Sequence, residues 1–370
     1  MKVTALILFV LVFIGGCNPF LKQVKDIPIN RIEMPDGFEI SIFAENVLDA
    51  RSMTKGEQGT IFIGSRDEGN LYALYDNNND QRADTTIIIA SNLNTPNGVA
   101  FYQGDLYVAE PTQILKYKDI ENHLTDNPTY EVIYDEFPDQ DGHEWKYISI
   151  GPDGKLYVPV GAPCNICNRE DEIYATITRM DTDGENFEIF AHGIRNSVGF
   201  DWHPVTGELW FTDNGRDWLG NNRPPDELNK ATEKELHFGY PYCHGETIQD
   251  PEYGEDKDCG DFVQPQMNLS PHAAALGMLF YTGNMFPQQY QNKVLIAEHG
   301  SWNRTTPIGY RITQVGIENN QATNYEVFAD GWLDEIRAWG RPVDLLQLDD
   351  GSLLVSDDFA NIIYRISYND

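Results

Sequence analysis

Gly104-Asp-Leu-Tyr-Val108 and Gly154-Lys-Leu-Tyr-Val158 are two copies of one short pattern: a glycine, a polar residue, then a run of aliphatic and aromatic side chains. The pattern recurs at Gly59-Thr-Ile-Phe-Ile63, Gly207-Glu-Leu-Trp-Phe211 and Gly351-Ser-Leu-Leu-Val355, with a weaker copy at Asn292-Lys-Val-Leu-Ile296. Successive starts lie 45, 50, 53, 85 and 59 residues apart. Several copies follow another short apolar run, such as Gly98-Val-Ala-Phe101, Tyr147-Ile-Ser-Ile150 or Ser197-Val-Gly-Phe200. Pro152-Asp-Gly154 and Pro204-Val-Thr-Gly207 join such runs with the residues that tight turns demand. Short hairpins repeating every ~40 to 50 residues predict an all-β, six-bladed β-propeller, one blade per copy. The 31 glycines and 20 prolines argue against long helices. The long interval from Gly207 to Asn292 predicts an insertion over about residues 216–269, stapled by Cys243 and Cys259.

The chain has 370 residues, 58 of them acidic and 26 basic, for a formal charge of −32. With 41% apolar residues it can bury a core, which excludes wholesale disorder. Its acidity excludes a nucleic-acid binder, which needs excess Lys and Arg facing phosphates. Lys2, the mostly apolar run Val3 to Ile14, and Gly15-Gly16-Cys17 form a secretory signal pattern too short to span a bilayer. Ile14-Gly15-Gly16-Cys17 resembles the bacterial lipobox. The expected organisation is a signal peptide over residues 1–16, lipidation at Cys17, a tether over 17–36 and a propeller over 37–370. This implies an exported, membrane-anchored bacterial lipoprotein facing the periplasm or cell surface. Four cysteines remain, and an even number in an exported chain favours disulfides. Proximity pairs Cys164 with Cys167 and Cys243 with Cys259; a zinc site built from all four thiolates is the competing expectation.

In a propeller the innermost strand of each blade lines the axis, so the residues just before those strands converge at one mouth. Here they are Arg51, Asn97, His143 with Lys146, Arg195 with Asn196, His272 and Arg341. Two unit positive charges ~8 Å apart repel by ~2 kcal/mol at an effective dielectric of ~20. Several together strain the fold unless an anion sits among them, although Asp201, Asp213 and Asp344 are close enough in sequence to neutralise some. The expectation is an axial pocket for a polyanionic small molecule.

His143-Glu-Trp-Lys-Tyr-Ile-Ser-Ile-Gly-Pro-Asp-Gly-Lys-Leu-Tyr157 resembles the general-base segment of the soluble sugar dehydrogenases that depend on pyrroloquinoline quinone (PQQ). His192-Gly-Ile-Arg-Asn-Ser-Val-Gly-Phe200, Gly239-Tyr-Pro241, Leu276-Gly-Met-Leu-Phe-Tyr281 and Gly340-Arg-Pro-Val-Asp344 are similar to further segments of that family. Val160-Gly-Ala-Pro-Cys-Asn-Ile-Cys167 most resembles its sorbosone-dehydrogenase-like branch. The resemblance implies that His143 takes the proton of a sugar hydroxyl while hydride passes to the quinone. It also implies that Arg195 polarises the quinone oxygen and that Asn196, Arg341 and Arg51 bind the cofactor. Two departures stand out. Ala162 replaces the aspartate that orients the base, and the cofactor lysine has no match in Ile296-Ala-Glu-His-Gly-Ser-Trp302, where His299 is the stand-in.

Asp76, Asn78, Asp80 and Asp84 place oxygens at positions 1, 3, 5 and 9 of a tight loop, a spacing that suits calcium. The resemblance implies a second calcium beside the cofactor, held by the carbonyls of Gly215 and Arg216 in Thr212-Asp-Asn-Gly-Arg216. Trp145, Trp218 and Trp302 are candidate walls for a sugar. The expected partners are a sugar or polyol and an electron acceptor such as a cytochrome or membrane quinone. A calcium-dependent lactonase-type hydrolase and a non-catalytic sugar-binding propeller are the alternative functions.

Overall fold

The structure is a computed structural model that describes residues 27–139 and 142–369; the signal segment and Cys17 lie outside the described residues. The repeat segments become the second strand of each blade and are buried throughout: Ile61–Ser65, Leu156–Val160, Leu209–Asp213, Val294–Glu298 and Leu353–Asp357. A strand covered on both faces carries apolar residues on both. In Asp105–Ala109, for example, Leu106 and Val108 meet the preceding blade while Tyr107 and Ala109 meet the following one.

Six antiparallel four-strand units follow in chain order. Their inner strands are Ala50–Lys55, Gly98–Tyr102, Ser149–Ile150, Phe200–Trp202, Ala275–Phe280 and Pro342–Gln347. A separate apolar cluster fills each of the six gaps between neighbouring blades. Each Leu, Ile or Phe buried in them contributes ~1.5–3 kcal/mol relative to exposure. Inner strands also bond across the gaps: Asp344 Oδ2 accepts the Met53 amide at 2.8 Å, and Asp201 Oδ2 the Phe280 amide at 2.8 Å. Helical structure among the described residues is limited to 3₁₀ turns.

The ring closes through chain termini. Phe38–Glu45 is the outer strand of blade six, antiparallel to Ile362–Tyr368, with Phe38 opposite Tyr368 and Glu45 opposite Ile362. Ile27, Ile29, Ile32 and Met34 pack on the cluster between blades five and six, and Glu33 bridges to Asp330. Residues 27–36, expected to belong to the tether, therefore lie against the propeller.

The expected insertion over 216–269 resolves differently. Glu227–Ala231 and Met267–Asn268 are blade four's own third and fourth strands, and Leu236–His237 adds a parallel fifth strand to blade three. Two excursions remain, one before Glu227 and one after His237, the latter held by the Cys243–Cys259 disulfide. Cys164 pairs with Cys167, so the four-thiolate zinc alternative is excluded.

Burial pushes the Asp344 carboxyl up to about 7, and its Oδ1 has no hydrogen-bond partner. Asp213 and Glu227, opposite each other on paired strands, are also raised by burial, Asp213 further by its neighbour's charge. A carboxyl raised on folding contributes stability below its unfolded value that is lost as pH climbs through the folded one. The melting temperature should therefore rise as pH is lowered from about 8.5 to about 6.5. Asp344→Asn, which keeps an acceptor for Met53, should melt higher than wild type at pH ~8 with a shallower pH slope. Parallel melting curves for the two proteins across this range would refute the assignment.

Candidate active site

Every inner strand starts, and every second strand ends, at the same face of the ring. There a cavity of about 320 Å³ is lined by Arg51, Arg66, Arg195, Arg341, His143 and His299, with Asn196, Asn214, Gly215 and His272 completing its floor and sides. Trp145 and Trp302 form its rim. Arg66 lies over the Trp145 ring, and the exposed Trp302 meets Trp218 edge to face at 5.4 Å.

The guanidinium groups are held but not exhausted. Arg51 donates from Nε to Asn97 Oδ1 at 2.8 Å and from Nη1 to Asp358 Oδ2 at 2.9 Å. Arg341 donates to the carbonyls of His299 and Gly300 at 3.0 and 2.9 Å and stacks on Tyr310. Arg51 Nη2 and Arg341 Nη1 have no acceptor among the described residues. Arg195 bonds to Asn165, Asn214 and Asp217. His299 Nε2 contacts Asp358 at 2.9 Å; burial pulls its imidazole down to about 4 against that carboxylate's pull. Burial opposes the charge on Asp358, yet His299, Arg51 and Arg341 hold its carboxyl well below the usual range.

His143 sits at left-handed φ (52°) and its Nδ1 lies 2.7 Å from the Ala162 carbonyl. A carbonyl only accepts, so Nδ1 carries the hydrogen and Nε2 keeps its lone pair. Burial, reinforced by Arg195, pulls the imidazole down to about 3. His143 is thus a neutral, oriented proton acceptor, and the backbone of Ala162 supplies what a side chain at that position cannot.

Other expected site residues lie elsewhere. Asn97 is fully buried beneath the wall, joining Arg51 to the Lys146 carbonyl at 2.8 Å. Lys146 is buried over the Phe137 ring and donates to the Glu144 carbonyl; burial pulls it down to about 7. The Arg216 side chain turns away to Asp250 and Glu252, at 2.6 and 3.1 Å. His272 does line the cavity, and its Nε2 donates to the carbonyls of Gly220 and Arg223, anchoring the first excursion. The Asp76–Asp84 loop lies at the opposite end of blade one, where its oxygens accept its own amides: Asp76 those of Asn78, Asp80 and Gln81, and Asp84 those of Asn77 and Asn78. It is a self-capped hairpin tip. No cluster of three or more His, Cys, Asp or Glu able to hold a metal occurs among the described residues.

Arg66, Asn214 and Asp358 were missed from sequence. They share one signal, since each lies seven positions after a repeat start, as His299 does, at the end of a second strand.

Fold and site together define a six-bladed propeller with a cationic pocket on its axis. The chain belongs to the family described as "Domain of unknown function (DUF7133)", which matches residues 26–366. An uncharacterized protein of Borreliella burgdorferi is 36% identical over 352 residues, 91% of each chain. A pyrroloquinoline quinone-dependent pyranose dehydrogenase of Coprinopsis cinerea is 26% identical over 59% of this chain, a match covering 37% of that longer protein. The calcium structure of a Trichoderma reesei protein of Carbohydrate-Active Enzymes family AA12 superposes with a TM-score of 0.81 at 19% identity, covering 94% of this chain and 100% of that one. The holo PQQ domain of the Coprinopsis enzyme gives 0.76 at 17% identity over 91% and 97%. These likenesses establish the shared fold.

With ¹⁵N-labelled histidine, His143 should stay in the Nδ1–H tautomer from pH ~5 to ~8, below which ordinary histidines have already protonated. Removing the neighbouring charge by Arg195→Leu should move its titration upward. A His143 that titrates near ~6.5 in the wild-type protein would contradict the buried geometry.

Proposed function

We propose that this protein is a PQQ- and calcium-dependent dehydrogenase that oxidises a sugar or related polyol or aldehyde. The observation carrying this reading is the meeting of four guanidinium groups and an oriented neutral histidine on one cavity wall. The residues fit a tricarboxylate: Arg51 Nη2 and Arg341 Nη1 lack protein acceptors, and a carboxylate binds guanidinium bidentately. They also offer oxygen to a hard cation, because neither the Gly215 nor the Arg216 carbonyl accepts a hydrogen bond from a described residue. Names of relatives support the same reading.

When bound, PQQ supplies a quinone carbonyl that accepts hydride, and calcium supplies Lewis acidity toward it. His143 Nε2 takes the substrate hydroxyl proton, with the Ala162 carbonyl fixing the ring. Arg195 holds positive charge beside that base. Arg51 and Arg341 bind the anionic groups, and Trp145 and Trp302 give the sugar ring apolar faces at the rim. In this proposal Val160–Cys167 marks the sorbosone-dehydrogenase-like branch. Cys17 carries lipid that anchors the enzyme at a bacterial membrane, where a cytochrome or membrane quinone receives the electrons. A calcium-dependent hydrolase needs a ring of carboxylates converging on the axis, where this cavity sets four guanidinium groups against Asp217 and Asp226.

Purified protein given PQQ and calcium should develop bound-quinone absorbance and reduce a dye when supplied with an aldose, ketose or polyol. His143→Ala should retain quinone binding and lose ~10²–10⁴ in kcat. Arg341→Ala should weaken quinone binding by ~10–100-fold. The acid limb of kcat/KM should lie under the ordinary histidine value of ~6.5. Absence of both quinone binding and turnover would sink the reading, and lactone hydrolysis without quinone would favour the hydrolase.

A further inference from the structure

We infer that Asn165, inside the Cys164–Cys167 disulfide loop, is a positioning residue that fixes the Arg195 guanidinium at the cavity wall. Arg195 donates from Nε to the Asn165 main-chain carbonyl at 2.9 Å and from Nη2 to Asn165 Oδ1 at 3.0 Å. One residue thus grips one edge of the guanidinium through both of its donors. The remaining contacts are the Asn214 carbonyl at 3.1 Å and Asp217 Oδ2 at 3.4 Å, the latter at the long end of an ion pair. Arg195 is only 4% exposed, so water cannot replace a lost acceptor cheaply.

Asn165 is itself held from both sides. Its Oδ1 also accepts the Asp217 amide at 2.7 Å, and its Nδ2 donates to the Asp217 carbonyl at 3.2 Å. The segment has no regular strand or helix, so its backbone is otherwise free to move. The disulfide closes it on itself, and the Tyr240 hydroxyl accepts the Cys167 amide at 3.0 Å beside Cys164 Sγ. Ala162, just ahead of the loop, donates its amide to the Arg195 carbonyl at 2.8 Å and offers its own carbonyl to His143. A single short segment therefore sets the main chain of Arg195, its guanidinium, and the imidazole beside it. The disulfide acts here as a clamp on cavity geometry.

The kinetic consequence rests on the dehydrogenase reading; the positioning itself does not. In protein labelled with ¹⁵N-arginine, the Arg195 Nη2–H signal, whose acceptor is the Asn165 side chain, is assigned by its loss in Arg195→Lys and should exchange slowly with solvent. Asn165→Ala and the double variant Cys164→Ser/Cys167→Ser should each speed that exchange by ~10-fold or more. Asn165→Asp, which keeps the acceptor oxygen, should leave it slow. In PQQ-loaded enzyme, Asn165→Ala should lower kcat ~10-fold with the sugar KM within ~3-fold, and Asn165→Asp should recover most of the loss. Unchanged exchange and unchanged kcat in Asn165→Ala would overturn the inference. If Asn165→Ala does not fold, Asn165→Asp decides, since Arg195 exchange as fast as in the cysteine double variant overturns it too. If wild type neither binds PQQ nor turns over sugar, the dehydrogenase reading falls while the exchange measurement still judges Asn165.

Discussion

Pairing of Phe38–Glu45 with Ile362–Tyr368 joins the two ends of the described chain in one sheet, and the geometry of the axis depends on that pairing. Six antiparallel units could otherwise fan open, leaving apolar surface bare between the first and last blades. Closure buries that surface on both sides of every second strand and forces the six inner strands to point the same way. Their starting residues then have nowhere to go but one mouth. The site is a by-product of topology in this sense: strand direction collects the side chains, and only afterwards does chemistry select which of them are cationic.

Collecting arginines on the axis of a chain with a charge of −32 is costly unless each is partly neutralised in place. The solution is uneven. Asp358 serves Arg51 and His299, main-chain carbonyls serve Arg341, and Asn165 with Asp217 serves Arg195. Carbonyls and amides satisfy N–H groups without cancelling the charge, so the wall keeps a positive field while avoiding unpaired donors. Full pairing with carboxylates would have made a stable but inert plug.

Much of this was legible because it is local. Turn residues and doubly apolar strands sit within a few positions of each other, so hairpins and their number are written along the chain. The closing strand was harder, since Phe38-Glu-Ile-Ser-Ile alternates like any strand while its partner lies at the far terminus. Depth was not legible at all. Asn97 and Arg51 occupy the same position in their blades, yet Arg51 Nε captures Asn97 and draws it beneath the wall. The Asp76 loop is legible as a tight polar turn, but what its oxygens bond is not. Short polar side chains spaced by two or four residues can wrap a cation, and the same spacing lets them cap their own amides, as Asp76 does here. Main-chain contributions from Ala162 and Asn165 leave no side-chain signature to read.

The Ala162 carbonyl also sets how strong a base His143 can be. A carboxylate at that position would orient the ring and stabilise its protonated form, raising basicity. A carbonyl orients the ring with much less help to the imidazolium, so burial, with Arg195 also opposing protonation, pulls the imidazole down to about 3. One negative charge ~5 Å away at an effective dielectric of ~20 is worth ~3 kcal/mol, or roughly two pKa units. An anion bound against the arginines would therefore raise the His143 imidazole toward the ordinary histidine range. In the proposed dehydrogenase, burial and the guanidinium field that attracts the anion both disfavour the imidazolium, so anion binding and imidazole basicity would be linked through charge.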